Sequence, residues 1–480
     1  MDNAITIPQQ WYNEAIILME QNQYDKAMPL LAQTALFFEQ NEMWEKYANA
    51  VNLWAKCLNF AAKYSEAQQL MGKVLQIAIN ELGETNIEVA QSYYHLGFAS
   101  EQQGEYNKAI DYYQKNLQIC LQIFDEPNPH IADTYDRLGI AFCLKGRYNM
   151  AIEYQQKSLL IRKKCFGEKH LKIAQSYANL SMVCSQMADI DKAIDYSLMS
   201  LQTKRQLLGE THLNIAINYG NLAALLSNKG KYEKSILLQE KSLHIKLQLL
   251  SETHPSIANN YGNMGMVFFN MGQYDKALLY CEKALNIRLH FFGEWHPLVA
   301  DDYNNMEHIY AAMGETQKAF ELQEKALNIC LKTLGKKHPN TAMSYFRMAC
   351  LMLEQHNYET AKTYFQQALQ ANCENFDNDD IYSNPPLNDY YYSFVLFQTL
   401  RAKANFLLEY CENKTHNPYD MQIAIETCYL ADEMIEQMRH SYFYENAQLS
   451  LGKEAFLLSE NALAAIWLLQ TTAQPTVTKL

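Results

Sequence analysis

An all-α solenoid, a right-handed stack of antiparallel helix pairs with a divergent C-terminal helical cap, is the fold class this sequence predicts. Three observations predict it. A loop motif recurs every 42 residues, a pattern of Ala, Tyr and Leu at helical spacing follows each copy, and turn residues are scarce, with 17 Gly and 11 Pro in 480 residues. Few turn residues imply long elements and short connections. As one globular protein, a chain of this length would divide into roughly three domains. A repeat array escapes that limit, because each unit packs only on its neighbours and the core grows along one axis.

The loops begin at Gly83, Asp125, Gly167, Gly209, Ser251, Gly293 and Gly335, seven starts with one spacing and no gaps. Seven residues into each comes an alanine, from Ala90 to Ala342, then a tyrosine three residues later, from Tyr93 to Tyr345, then Leu or Met. Residues spaced by three share a helical face, so this reads as the buried stripe of a first helix, A. Helix A stops near a Gly at 104, 146, 230, 272 and 314, and helix B opens with Gly-x-Tyr-x-x-Ala, as in Gly104, Tyr106 and Ala109 or Gly272, Tyr274 and Ala277. The Gly supplies the turn, the Tyr wedges between layers and the Ala lets two helices approach closely.

The series Tyr135, Leu138, Gly139, Gly146, Tyr148 and Ala151 resembles the tetratricopeptide repeat. That family's usual repeat is shorter, and the added residues with the Gly-Glu-x-His loop make this chain similar to the 42-residue variety found in kinesin light chains and many bacterial repeat proteins. The likeness covers 83–376 closely, as seven regular repeats. Tyr24 with Ala27 and Tyr64 with Ala67 mark two irregular earlier repeats within 1–82, giving about nine. An insertion at 377–387 follows, then a divergent helix pair and capping helix over 388–470, with helical stretches near 388–411, 420–439 and 442–470. The last residues, 471–480, read as a frayed tail.

The formal net charge of -13 disfavours a nucleic-acid partner, since no run of Lys and Arg offsets it. The N-terminus has neither a basic start nor a long apolar stretch, and no segment approaches a membrane span of about 18 apolar residues, so no membrane role and a cytoplasmic location are expected. Eleven cysteines without a CxxC pair read as reduced core residues. Histidines at 170, 212, 254, 296 and 338 form a ladder, but successive repeats stand on the order of 20 Å apart, too far to share a metal. Asn86 and Asn128 hold the same position, and Pro follows at 129, 255, 297 and 339, so these residues read as helix caps.

A second ladder, Asn179, Asn221, Asn263 and Asn305, lies two residues after the helix A tyrosine, with His95, Arg137 and Arg347 at the same position in outer repeats. The family resemblance implies that this part of helix A faces a groove in which amides hold the backbone of an extended peptide. Further along come Met182, Met266 and His308, then Gln186, Asn228, Asn270 and Glu354 one turn beyond. Amides, thioethers and a few charges suit a peptide or partner helix; amides that only brace neighbouring helices would look the same in sequence.

No HExxH, phosphate loop, GxSxG or dinucleotide fingerprint occurs, and the carboxylates alternate with Lys at helical spacing, so neither catalysis nor a cofactor is expected. Residues 423–470, with Arg439, Tyr442, Glu445 and Leu449, resemble the connector before the caspase-like domain of bacterial TPR-CHAT proteins. His416, His440, Cys411 and Cys428 could supply a His-Cys dyad, but they fall on or beside helices rather than at strand ends, so the chain reads as non-catalytic. Two functions remain: a stand-alone adaptor binding a peptide or protein, or the sensor half of a protease whose catalytic part lies elsewhere. Stacking of end repeats, or the aromatic residues Tyr390, Tyr391 and Tyr392, would allow a homo-oligomer.

Overall fold

The computed structural model describes residues 2–21, 23–61, 63–387, 390–391 and 393–440. Among them there is no strand. The helices run in antiparallel pairs: α1 (Asp2–Glu20) with α2 (Tyr24–Gln40), α3 (Trp44–Phe60) with α4 (Tyr64–Leu82), α5 (Ile87–Gln102) with α6 (Tyr106–Ile123), and α7 (Pro129–Leu144) with α8 (Tyr148–Phe166). They continue with α9 (Leu171–Gln186) and α10 (Ile190–Leu208), α11 (Leu213–Asn228) and α12 (Tyr232–Leu249), α13 (Pro255–Asn270) and α14 (Tyr274–Phe292). The series closes with α15 (Pro297–Ala312) and α16 (Thr316–Thr333), α17 (Pro339–Glu354) and α18 (Tyr358–Ala371), then α19 (Ser393–Tyr410) and α20 (Pro418–His440). Odd-numbered helices from α5 to α17 are the A helices. The chain forms two compact units, one of residues 1–145 with 150–179, the other of 146–149 with 180 onward.

Each A helix is started by the residue the loop motif supplies. Asn86 and Asn128 accept from the backbone N–H two residues on, both at 2.8 Å. His170, His212, His254, His296 and His338 do the same through Nδ1 at 3.0–3.2 Å. The His ladder is therefore a ladder of caps, with Pro in the first turn of α7, α13, α15 and α17. The turn between helices A and B needs a left-handed residue. Gly272 provides it with φ 72, and where the sequence lacks Gly the backbone turns the same way, at Ala188 with φ 58 and His356 with φ 53.

The stripe alanines 90, 132, 174, 216, 258, 300 and 342 are buried almost completely. The tyrosines between them and the Leu or Met are not. Tyr93, Tyr135, Tyr261 and Tyr345 are half-buried and pack their rings on Tyr112, Tyr154, Tyr280 and Tyr364 of the paired B helix, with centroids 5.8–6.2 Å apart. A phenol keeps its hydroxyl in water while its ring covers the seam, so the expected core aromatic is a rim aromatic. Close approach of A to B is set by small residues. A Cβ on Gly97 would fall 2.7 Å from the Tyr113 ring, one on Gly139 2.6 Å from Gln155, and one on Gly265 2.6 Å from Cys281 Sγ.

The C-terminal region departs from expectation in two places. The non-helical segment runs past 387, so α19 begins at Ser393 and not at 388. The segment is pinned by Lys403, whose ammonium donates to Gln366 Oε1 and Asn384 Oδ1 and to the Ser383 carbonyl at 2.8–3.2 Å. Tyr390 and Tyr391 are buried in the fold, which removes them from any outer surface. The expected helix at 442–470, the connector residues Tyr442, Glu445 and Leu449, and the tail at 471–480 lie outside the described residues, as does Tyr392; the side chains of Arg439 and His440 do too. Among the described residues no helix is long and apolar enough to cross a membrane.

Because Nδ1 of each capping His must be free of a proton to accept, the caps fail in acid. Burial lowers His254 below its ordinary 6.5 and lowers His296 to about 4, with Lys246 and Arg288 nearby adding to the respective shifts. The unfolded chain then takes up protons first, so stability is complete above about pH 6.5 and declines toward pH 4, where His296 also titrates. A cap is worth about 0.5–2 kcal/mol. We expect His254→Asn with His296→Asn, the cap used at 86 and 128, to shrink the drop in melting temperature between pH 7.5 and pH 5; an unchanged drop would rule the caps out as its cause.

Candidate functional site

Where successive A helices lie side by side, polar side chains line recesses, and B-helix cations form their floors. Arg162, Lys204, Lys246 and Arg288 are 42 residues apart and nearly fully buried, and each meets the residue fourteen positions on, at the next A helix. Arg162 donates to Ser176 at 2.7 Å, Lys204 to Asn218 at 2.6 Å, Lys246 to Asn260, and Arg288 to Asp302. In the following repeat the pair is Cys330 and Ser344.

The first unit holds a recess of about 320 Å³ lined in part by Asp133, Asp136, Arg137, Arg162, Lys172 and Asn179. Its charges are closed on one another. Arg162 donates to Asp133 at 2.7 Å and Asp136 at 3.2 Å, and Lys172 reaches Asp133 at 3.0 Å. Burial pushes the Asp133 carboxyl up, but Arg162 and Lys172 outweigh it and hold the group below the usual range.

The second unit holds a recess of about 370 Å³ on α11, α13 and α15, lined by Ile217, Gly220, Asn221, Lys246, Ser256, Asn259, Asn260, Gly262, Asn263, Arg288, Asp301 and Asn305. Among the described residues Lys246 donates only to neutral oxygens, the Ser256 carbonyl at 2.8 Å and Asn260 Oδ1, and burial pulls its ammonium down to about 8. Arg288 donates to Asn259 at 2.7 Å and to the Leu298 carbonyl at 3.2 Å besides Asp302. Burial raises Asp302 to about 7 and also raises Asp301, with Arg288 opposing both shifts.

The tetratricopeptide repeat sequence profile matches residues 46–122, 88–159, 130–206, 256–330 and 303–374 in one version and 219–256 in a second, together well over half the chain. The chain belongs to the tetratricopeptide repeat family. No curated protein matches it. Among solved structures it is similar to BtubC (BKLC) from P. vanneervenii, at 22% identity over 49% of this chain and 92% of that one with a TM-score of 0.38. A kinesin-light-chain-type protein of nearly identical repeats from Podosopora anserina aligns at 17% identity over 43% and 97%, with a TM-score of 0.36. The apo quorum sensor NprR from B. thuringiensis aligns at 14% over 77% and 99%, with a TM-score of 0.47.

On the tetratricopeptide frame, the asparagine ladder divides. Asn221, Asn263 and Asn305 line the second recess together, the first two exposed and the third half-buried, with no hydrogen bond to the described chain. Asn179 is buried and committed: it donates to Asp136 at 2.7 Å and accepts from Gln175 at 2.9 Å. The charged members of the ladder are also held. Arg137 Nε donates to the Tyr94 hydroxyl at 3.1 Å with Glu101 3.6 Å away, and Arg347 donates to Glu307 at 3.0 Å and contacts His308. Burial lowers both His95 and His308 to about 4, aided by Lys56 and Arg137 at His95 and by Arg347 at His308, so both are neutral at pH 7. Asn228 and Asn270 are exposed at the last residues of α11 and α13, outside the recess lining, while Met266 is half-buried.

Lys246 and Arg288 were missed because helix B was read for its apolar stripe alone, and Asn259, Gly220 and Gly262 because helix A was read only at its Ala, Tyr and Asn positions. The 42-residue recurrence of a cation at 162, 204, 246 and 288 was the available signal. Truncating one member of a buried pair leaves the other uncompensated, at about 3–5 kcal/mol. Arg288→Cys should therefore lower thermal stability sharply, and adding Asp302→Ser, which copies the Cys330 and Ser344 pair, should recover most of the loss. A double variant no better than the single one would contradict this reading of the pair.

Proposed function

We propose that this tetratricopeptide repeat chain is a non-catalytic binding scaffold that takes an extended peptide, or an extended segment of a partner protein, across α11, α13 and α15. The observation that carries the reading is the row of Asn221, Asn263 and Asn305. Three amides at one repeat position line one recess, and none makes a hydrogen bond to the described residues. Each offers a donor and an acceptor, the pair of functions a peptide main chain presents at every residue. A fold that needed these amides for bracing would have engaged them, as it does Asn179, Asn218 and Asn260.

The reading is the same whether the chain works alone or as the sensor half beside a caspase-like protease, since either role places recognition on this face. The test is affinity capture from the native cell with the wild type and with Asn221, Asn263 and Asn305 all changed to Ala. Asn179 is left intact because its loss would disturb Asp136. We expect a captured protein to be lost by the variant while helical content and melting temperature stay unchanged. Equal retention would move recognition to another surface.

A further inference from the structure

The exposed side of α10 differs from that of every other B helix in the regular repeats. Halfway along, those helices carry a polar pair, Gln or Glu followed by Lys at 114–115, 156–157, 240–241, 282–283 and 324–325, and two Gln at 366–367. On α10 the pair is Leu198 and Met199. One period and one frame turn this position outward in α10 as in its neighbours, so packing does not call for the exchange. Both side chains are 46% exposed, and apolar groups left in water add nothing to the fold. A recess of about 570 Å³ opens at the same place, lined by Leu198, Leu201, Gln202, Arg205, Gln206 and Glu210. It lies within the second unit and shares no residue with the recess on α11, α13 and α15.

The charges on this stripe say what covers it. Asp195 stands one turn before Leu198, and Arg205 one turn beyond Gln202; all four are exposed, on the side of α10 opposite the buried Ala193, Ser197, Ser200 and Lys204. Arg205 also meets Glu210, but that pair is itself exposed and holds the guanidinium only weakly. Read along the helix, the stripe is acid, apolar, cation. Such an order is complementary to itself run backwards. Two copies of α10 packed antiparallel, about an axis midway between Asp195 and Arg205, set Asp195 of each copy against Arg205 of the other, with both copies of Leu198 and Met199 between them. Parallel packing would oppose like charges. Self-complementarity is the condition that a two-fold interface between identical chains must meet.

We infer that the exposed side of α10 is an association surface for a second copy of this chain, paired antiparallel through Leu198 and Met199. The apolar pair supplies the attraction as it leaves water, and the two ion pairs at the rim fix the direction and the register. A contact centred on one helix from each copy is small, so the dimer is weak and its population follows concentration.

The test is sedimentation velocity of the full chain over a rising concentration series. The wild type is expected to pass from monomer to dimer. Leu198→Glu with Met199→Lys, which installs the pair carried by α12, α14 and α16, should raise the dissociation constant about tenfold or more while the melting temperature holds. Asp195→Arg and Arg205→Asp, at exposed positions, should each weaken the dimer alone and re-form it when the two chains are mixed, because the mixed pair again sets acid against cation at both ends. That mixing experiment decides the matter even if the apolar exchange disturbs folding. A wild type that stays monomeric throughout, a dimer that persists when Leu198 and Met199 are both replaced in a folded chain, or single charge variants that do not re-form it on mixing overturns the inference.

Discussion

Everything in this structure depends on the register that places residue n of one B helix against residue n + 14 of the next A helix. A repeat stack must bury both faces of its interior helices, and at this junction the buried groups are polar. They are satisfied pairwise: Arg162 with Ser176, Lys204 with Asn218, Lys246 with Asn260, Arg288 with Asp302. Further bonds tie α12 both to its own A helix, α11, and to the next one, α13. Gln239 donates to the Gly220 carbonyl, Asn260 to the Gln239 side chain, and Ser242 to the Ala216 carbonyl. A slip of one residue would leave a row of donors and cations unpaired in the core, which is far costlier than any single misplaced apolar contact. The constant 42-residue period is what that penalty enforces.

The same register explains how a binding surface arises without a new structural device. A pair closed by its own carboxylate, as at Arg162 and Asp136, is a brace. At Gly220 that carboxylate is missing, and Lys246 is held instead by Asn260 and the Ser256 carbonyl. Brace and groove thus share one frame, and the preorganisation that favours binding is supplied by the fold. The amides at 221, 263 and 305 extend that surface along successive A helices.

The repeat frame was legible in the sequence because helix starts, helix stops and close approaches each require particular residues. Asn86 to His338 are caps and Ala90 to Ala342 are buried contacts. The stripe tyrosines were misjudged because spacing reports the face but not the depth, and a phenol is content at a rim. At the site, the ladder Asn179 to Asn305 was visible as a set, but its division into one buried brace and three open amides was not. That division depends on residues 43 positions away, such as Asp136 beneath Asn179. The start of α19 was misplaced because Ser383 and Asn384 are held by a buried lysine from a later helix, Lys403, which local pattern cannot reveal.

The most direct test of the register is a deletion. Removing residues 209–250 excises one whole period and brings Asn260 fourteen residues after Lys204, where Asn218 now stands. Circular dichroism and thermal melting of that chain should show undiminished helical content per residue and a cooperative transition, whereas removing 210–250, one residue fewer, should give a broadened, lower transition. Equal behaviour of the two deletions, or collapse of the whole-period one, would contradict the claim that this register holds the stack together.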